Sequence, residues 1–350
     1  MTIPPLLRDL LTSVGPPGRE GPAAAVWRQA AAEFAAVGSD TLGTSFARVR
    51  SGDNAPTLAL VGHIDEIGVA ITHVGDDGLL AFSVLGGHDP EQMAGQRVLV
   101  VGRGGTITGV VGRRLLSGEE RRDRRPLEHA DLHIDIGASS REDAERLVRP
   151  GDVAVWQGEP VELANDRVAS RALDNRLGAY AALEAARRVA AAGDAQVDVV
   201  AVAAVQEELG AHAAGAAAYA LEPQAALVID VTWATEVPGG NPKRVGKVEL
   251  GAGAAVSVGP FLSPVVSDLL RETAEAEGIP HCIEVYGGRT QTDADVLHVS
   301  RSGVPTGLVS IPVRYMHSPV ELCALADLEA VISLVTAFAR RLGRETSFLR

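Results

Sequence analysis

Cysteine is nearly missing from this chain: Cys282 and Cys323 are the only two. Their separation offers neither a disulfide framework nor the close pairs of a zinc finger, so two small buried thiols in a reducing compartment are expected. Aromatic residues are scarce at 4%, which leaves an aliphatic, alanine-rich core and few rings of the kind that stack on sugars. Positive charge is in deficit. The formal net charge is −13, and phosphate binding wants clustered Lys and Arg, so nucleic acid is excluded as a partner. No apolar run is long enough to span a bilayer, and no membrane partner is expected. Residues 1–9 lack the apolar segment of a secretory signal, which points to a cytoplasmic location.

What the chain does have is strand and helix in alternation. Helical spacing of apolar residues predicts helices over 6–14 and 22–37, with short strands over 46–49 and 57–62. The texture then changes. Short β-branched runs separated by glycine-rich turns, over 68–74, 79–84, 97–101, 107–111 and 153–156, read as a small β-barrel or sandwich. The polar charged run 117–125 within this block reads as a solvated loop. Alternation resumes with helices over 176–191, 264–277, 294–302 and 326–342, and strands over 197–205, 225–229, 281–285 and 307–311. The fold class is therefore α/β, with a largely parallel, helix-covered sheet. Its catalytic domain is discontinuous, residues 1–68 and 160–350, and a β-rich domain, 69–159, is inserted into it.

Several of the strand-like runs stop at a metal-ligand type of residue. The run from Thr57 ends in His63, with Asp65 two residues on. The run from Val197 ends in Glu207 and Glu208, that from Ala225 in Asp230, and that from Gly307 shortly before His317. Asp174 adds a carboxylate just before a helix. Ligands in open α/β sheets bind outside the carboxyl ends of the strands, so these residues converge if their strands are neighbours. Imidazole mixed with carboxylate suits Zn²⁺, Co²⁺ or Mn²⁺ better than an all-oxygen Ca²⁺ or Mg²⁺ cage. A two-ion site needs a bridging carboxylate and outer ligands for each ion. The set divides accordingly: Asp174 bridges, His63 and Asp230 serve one ion, and Glu208 and His317 the other. Glu207 is then free to act as a general base, and Asp65 to orient His63.

Taken singly, each residue has a plainer role. His63 alone is a core histidine, Asp65 and Asp174 are turn or cap residues, Glu207 and Glu208 a solvated pair at a helix start, and His317 part of a turn. It is their shared placement at strand ends that favours a site. His73, His88, His129, His133, His212, His281 and His298 have no such company and read as structural or exposed.

These residues also carry a resemblance. The chain resembles metallopeptidase family 42, the glutamyl, deblocking and tetrahedral aminopeptidases, over nearly its whole length. The matching motifs are residues 17–20; Gly62 through Gly68; Ala172, Asp174 and Arg176; Gln206 through Gly210; Asp230 and Thr232; Thr292, Asp293 and Asp295; and Tyr315, His317 and Glu321. Residues 116–120 and 134–142 match in the inserted block. The resemblance implies two divalent ions per subunit, with the same five ligands, Asp65 supporting the first histidine and Glu207 as base. It implies that the inserted domain mediates a homodimer and that dimers can join into dodecamers. Related families place a non-proline cis peptide after the bridging Asp, so one is expected at Asp174–Asn175. Departures from the pattern are Asn175 in place of a second Asp, Thr44 after Gly43, the stretch 211–214 and the stretch 111–114.

Three functions compete. The first is a two-metal aminopeptidase removing N-terminal residues from peptide substrates. The second is a glycoside hydrolase, following an old endoglucanase label in the family; that chemistry uses two carboxylates and no metal. The third is a catalytically silent metal-binding assembly protein, against which the intact Glu207 argues.

Overall fold

The computed structural model describes residues 2–102, 104–115, 117, 118 and 125–349. Most of the predicted loop at 117–125 and of the motif at 116–120 lies outside the described residues. The chain first lays down β1 (Ala36–Ser39), β2 (Ser45–Val49) and β3 (Thr57–His63). It then leaves the sheet for β4 (Gly68–Val74), β5 (Leu80–Leu85), β6 (Arg97–Gly102), β7 (Gly105–Arg113), β8 (Leu132–Asp135) and β9 (Val153–Trp156). These six close into a barrel in the order β4-β5-β8-β7-β6-β9. The chain returns with β10 (Val161–Leu163), β11 (Arg167–Ser170), β12 (Asp198–Ala204), β13 (Ala225–Trp233), β14 (Ala254–Val258), β15 (His281–Val285), β16 (Thr306–Arg314) and β17 (Glu321–Ala324).

The large sheet runs β1-β2-β12-β3-β13-β16-β17-β11-β10, with β14 pairing to both β16 and β15. It is mixed, which corrects the expectation of a largely parallel sheet. Only the central run β12-β3-β13-β16 and the pair β14-β15 are parallel. The flanks β1-β2, β2-β12, β16-β17, β11-β17 and β10-β11 are antiparallel, as is β14-β16. Short connections explain three of these pairings: β1-β2, β10-β11 and β16-β17 are each consecutive in the chain. A short turn can join antiparallel neighbours only, whereas parallel neighbours need a long crossover.

The parallel strands are legible as unbroken apolar runs because they are covered on both faces. All of β12 is buried, and so are all but the first residue of β3 and all but the last of β13. One face of these strands, Leu58, Leu60, Ala201, Ala203, Leu227 and Ile229, packs with the helices Leu173–Ala192, Pro264–Ala276 and Leu325–Arg341. The other, Ala59, Val61, Val200, Val202, Ala226 and Val228, packs with the helices His212–Leu221 and Ala294–Leu297. The barrel has its own core, including Val69, Ile71, Val100, Ile134 and Trp156.

The predicted helix over 22–37 stops at Ala31. Its last residues turn instead into β1, an exposed edge strand that pairs only with β2. Alanine-rich sequence up to Gly38 carries no breaker that would mark this change.

One close approach sets the position of everything at the carboxyl edge. A methyl group on Gly62 would collide with the backbone of Gly178 and Ala179, and one on Gly178 with the carbonyl of Ile229. The helix Leu173–Ala192 therefore lies directly on β3 and β13. We expect Gly62→Ala to cost at least about 2–3 kcal/mol, because neither backbone can move aside without displacing a buried layer. Gly38→Ala, with nothing within 4 Å of the added carbon, should leave stability unchanged. Urea unfolding of both variants tests this, and equal midpoints would contradict it.

Candidate metal centre

β3 ends in His63, and the next amide, of Ile64, donates to the Ala204 carbonyl at 2.7 Å, tying the exit of β3 to the end of β12. The chain leaving β12 turns sharply. Gln206 has φ of 59°, and Glu207–Leu209 form a single turn of 3-10 helix. Asp65 holds this turn. Its two carboxylate oxygens accept from the amides of Glu207 and Glu208, each at 3.1 Å, and one of them lies 3.4 Å from His63 Nδ1. The fully buried Asp65 thus orients an imidazole and fixes two neighbouring glutamates at once.

Asp174 sits at the start of the helix Leu173–Ala192 with non-helical backbone angles. The Asp174–Asn175 peptide is cis, as expected. Asn175 is fully buried and uses both ends of its amide: Nδ2 donates to the Ile229 carbonyl at 2.9 Å, and Oδ1 accepts from the Gly178 amide at 2.8 Å. Glu321, at the start of β17, accepts from the Asp174 amide and from the His317 amide, both at 2.9 Å.

The expectation that Asp230 ends a strand is corrected. β13 continues to Trp233 alongside β16, but its pairing with β3 stops at Val228 opposite Val61. Asp230 therefore lies past the last β3–β13 pair, level with His63 at the end of β3, inside β13 yet at the edge of the layer. Its own Oδ1 accepts from the Val231 amide at 2.8 Å.

These elements bring all five predicted ligands into two groups, His63 with Asp174 and Asp230, and Asp174 with Glu208 and His317. Within each group the candidate ligand atoms all lie within 4.8 Å of one another. Asp174 belongs to both. Its Oδ1 lies 3.1 Å from His63 Nε2, and its Oδ2 lies 3.2 Å from His317 Nε2. Asp230 Oδ1 is 3.9 Å from His63 Nε2, and Glu208 Oε1 is 3.5 Å from His317 Nε2. Glu207 joins neither group, although its Oε2 stands 3.8 Å from His63 Nε2.

Burial makes the cluster electrostatically unfinished. Desolvation pushes the Glu207 carboxyl up to about 10; the His63 ring opposes this, while Asp293 and Asp230 add to it. Desolvation likewise raises Asp230 and Glu208. Burial would lower both imidazoles, but the carboxylates beside them outweigh it. Asp174 and Asp65 raise His63 well above its usual value, and Asp174 and Glu208 raise His317 to about 11. Asp174 alone is lowered, because the two imidazoles overcome its desolvation. Glu208 Oε1 and both oxygens of Asp293 are buried without a hydrogen-bond partner. A mixed nitrogen and oxygen donor set that lacks its countercharge fits divalent cations.

Two supports escaped sequence reasoning. Glu321 stood inside a recognised motif, but its tie to the Asp174 and His317 amides gave no sign there. Beneath the site, Glu66 pairs with Arg171 and with Arg176, the latter at 3.3 Å, and accepts from the Gly15 amide at 3.0 Å. Arg171 donates to the Thr12 carbonyl at 3.0 Å and Arg176 to that of Ser13 at 3.2 Å, so the end of the first helix is bound to the segment carrying Asp174. The only signal was spacing: Glu66 follows Asp65, and the arginines flank Asp174 by two or three residues.

The profile of a known family, M42 glutamyl aminopeptidase, matches residues 43–334. A lysyl aminopeptidase of Pyrococcus furiosus is 35% identical over 310 residues, covering 87% of this chain and 86% of that protein. The structure of aminopeptidase APDkam598 from the archaeon Desulfurococcus kamchatkensis is similar with a TM-score of 0.91 and 34% identity, over 97% of this chain and 95% of the other. The TET1 peptidase of Pyrococcus horikoshii, which can assemble into a tetrahedron or a large octahedral shell, has a TM-score of 0.86 and 31% identity, over 96% and 99%.

The shifts above predict how the metal-free protein responds to pH. A group raised on folding binds more protons folded than unfolded, so its contribution is full below the unfolded pKa and is lost as pH climbs toward the folded value. Glu207, Glu208, Asp230, His63 and His317 all act in this sense, up to about 10 for Glu207 and about 11 for His317. Asp174, lowered, works the other way, and its contribution is lost only in acid. Chelated protein should therefore lose stability from about pH 5 to about pH 9, and added zinc should remove most of that slope. Urea midpoints across this range, with and without zinc, test the sign; a flat profile in chelator would refute it.

Proposed function

The chain belongs to the M42 glutamyl aminopeptidase family, and from that premise we propose that it removes N-terminal residues from peptides with two divalent cations. As a member it is a metallo-aminopeptidase, a hydrolase acting on peptide bonds. The glycoside-hydrolase alternative is set aside by that membership. The observation that carries the two-ion reading is Asp174, whose two oxygens face two different imidazoles in two different ligand groups.

In this reading His63, Asp174 and Asp230 hold one ion, and Asp174, Glu208 and His317 the other. Zinc is the first choice, with cobalt or manganese able to substitute. When bound, the cations supply Lewis acidity to the scissile carbonyl and acidify the attacking water. Glu207, close to His63 but outside both groups, takes the proton from that water and returns it to the leaving amine. Asp65 keeps the His63 ring and the Glu207 turn in place. A carboxylate near the site would hold the free α-amine of the substrate, which would limit cleavage to chain ends.

We also propose that residues 69–159 act as a dimerisation domain inserted into a catalytic domain of residues 1–68 and 160–350. Closure of β4–β9 into a barrel with its own core supports this. Assembly of such dimers into a dodecamer is suggested by the TET1 peptidase. No described helix is long and apolar enough to cross a membrane, and we place the enzyme in the cytoplasm.

Glu207→Gln should lower kcat on aminoacyl p-nitroanilides by about 10²–10⁴-fold while two ions remain bound. Chelation should abolish turnover, and zinc, cobalt or manganese should restore it. Near-normal kcat in the variant removes Glu207 from its role. Loss of all turnover in the metal-loaded natural protein, across a broad aminoacyl panel, favours the silent assembly protein instead.

A further inference from the structure

The barrel reaches the metal centre through one short segment. Gly86 and Gly87 follow β5 directly. A Cβ on Gly87 would stand 2.8 Å from His317 Nδ1 and 3.2 Å from its Cε1. A Cβ on Gly86 would stand 2.8 Å from Glu208 Oε2 and 2.6 Å from Ile67 Cγ2, and Gly86 has φ of +83°. Both residues of the second ligand group that are not shared with the first are thus touched by the barrel. The next residue, His88, anchors the segment. Its Nε2 lies 2.8 Å from the Gly68 carbonyl, which only an N–H can satisfy, and its ring meets Trp156 edge-on with centroids 5.4 Å apart.

His317 needs such a wall. It lies in a turn with φ of 61°, and a third of its side chain is exposed. Glu321 fixes its amide but not its ring. His63, by contrast, is enclosed by the sheet and faced by Asp65.

We propose that Gly86 and Gly87 of the barrel form the positioning wall of the second cation site, holding the His317 ring and the Glu208 carboxylate in ligating orientation while leaving the first site untouched. This rests on the two-ion reading. It gives the barrel a part in the catalytic centre of its own subunit, and it favours glycine at 87 because a Cβ there would force the His317 ring to shift. Outer residues that orient ligands are worth about 10–100-fold in metal affinity.

The test is a cobalt titration of the metal-depleted full-length protein, followed by calorimetry and by visible absorption, which reports the geometry of each filled site. Gly87→Ala should weaken one of the two binding steps about 10–100-fold and alter its absorption band, with the other step unchanged. Gly104→Ala, in the turn between β6 and β7 with nothing within 4 Å, is the control and should leave both steps as they are. Unchanged steps in Gly87→Ala, or equal weakening of both, would overturn the assignment. Should that variant fail to fold, amide exchange of the unaltered protein decides. Residues 86–88 should gain protection with only one of the two equivalents of cobalt, and no gain overturns the proposal. Uptake of a single ion by the unaltered protein would overturn the two-ion reading along with it.

Discussion

Carboxylates crowd the carboxyl ends of β12, β3 and β13 beyond what the protein itself can neutralise. Asp65, Asp174 and Asp230 are buried, Glu207 and Glu208 are half-buried, and Asp293 and Glu321 stand close behind. Arg171 and Arg176, in the segment that carries Asp174, are committed to Glu66 and to the carbonyls of the first helix. Burying a charge without a partner is costly, and a cluster of this kind answers by retaining protons. The raised values of Glu207, Glu208, Asp230 and both imidazoles are that answer. Two dications would supply the missing charge, and the same residues that hold protons in their absence would ligate them.

Holding such a cluster together requires that its members cannot swing apart. Two carboxylates do this without touching an ion. Asp65 gathers two consecutive amides from the turn after β12, and Glu321 gathers the amides of Asp174 and His317, which are far apart in the chain. Each converts a loop into a fixed corner. The Gly62–Gly178 contact then sets the distance between the strand carrying His63 and the helix carrying Asp174.

The sequence makes visible what repeats along it. Strands covered on both faces appear as apolar runs, and β4, β9 and β15 have the predicted bounds. Ligand types stood out because metal chemistry limits them to few residues. Apart from β2, the antiparallel flanks were not visible: β10, β11, β14 and β17 are short and lack strict alternation, and their pairing is fixed by tertiary contacts. The predicted helix over 294–302 ends at Leu297, its remainder being a turn. Asp230 looked like a strand end only because its apolar run stops there, whereas its place at the edge comes from the shorter β3 beside it. Gly86 and Gly87 carried no signal at all, since a glycine's partner is known only once the fold brings it near.

The neighbouring glutamates show how one turn of backbone gives adjacent carboxylates different neighbours. On a strand, Glu207 and Glu208 would point to opposite faces, and only one could reach the cleft. In a 3-10 turn, successive side chains are rotated by about 120° and no longer point to opposite faces, so both can reach the cleft. Glu208 is turned to His317 and Glu207 to His63. The turn exists because Gln206 adopts a left-handed conformation and because Asp65 accepts both following amides. Asp65 therefore sets which glutamate faces which imidazole.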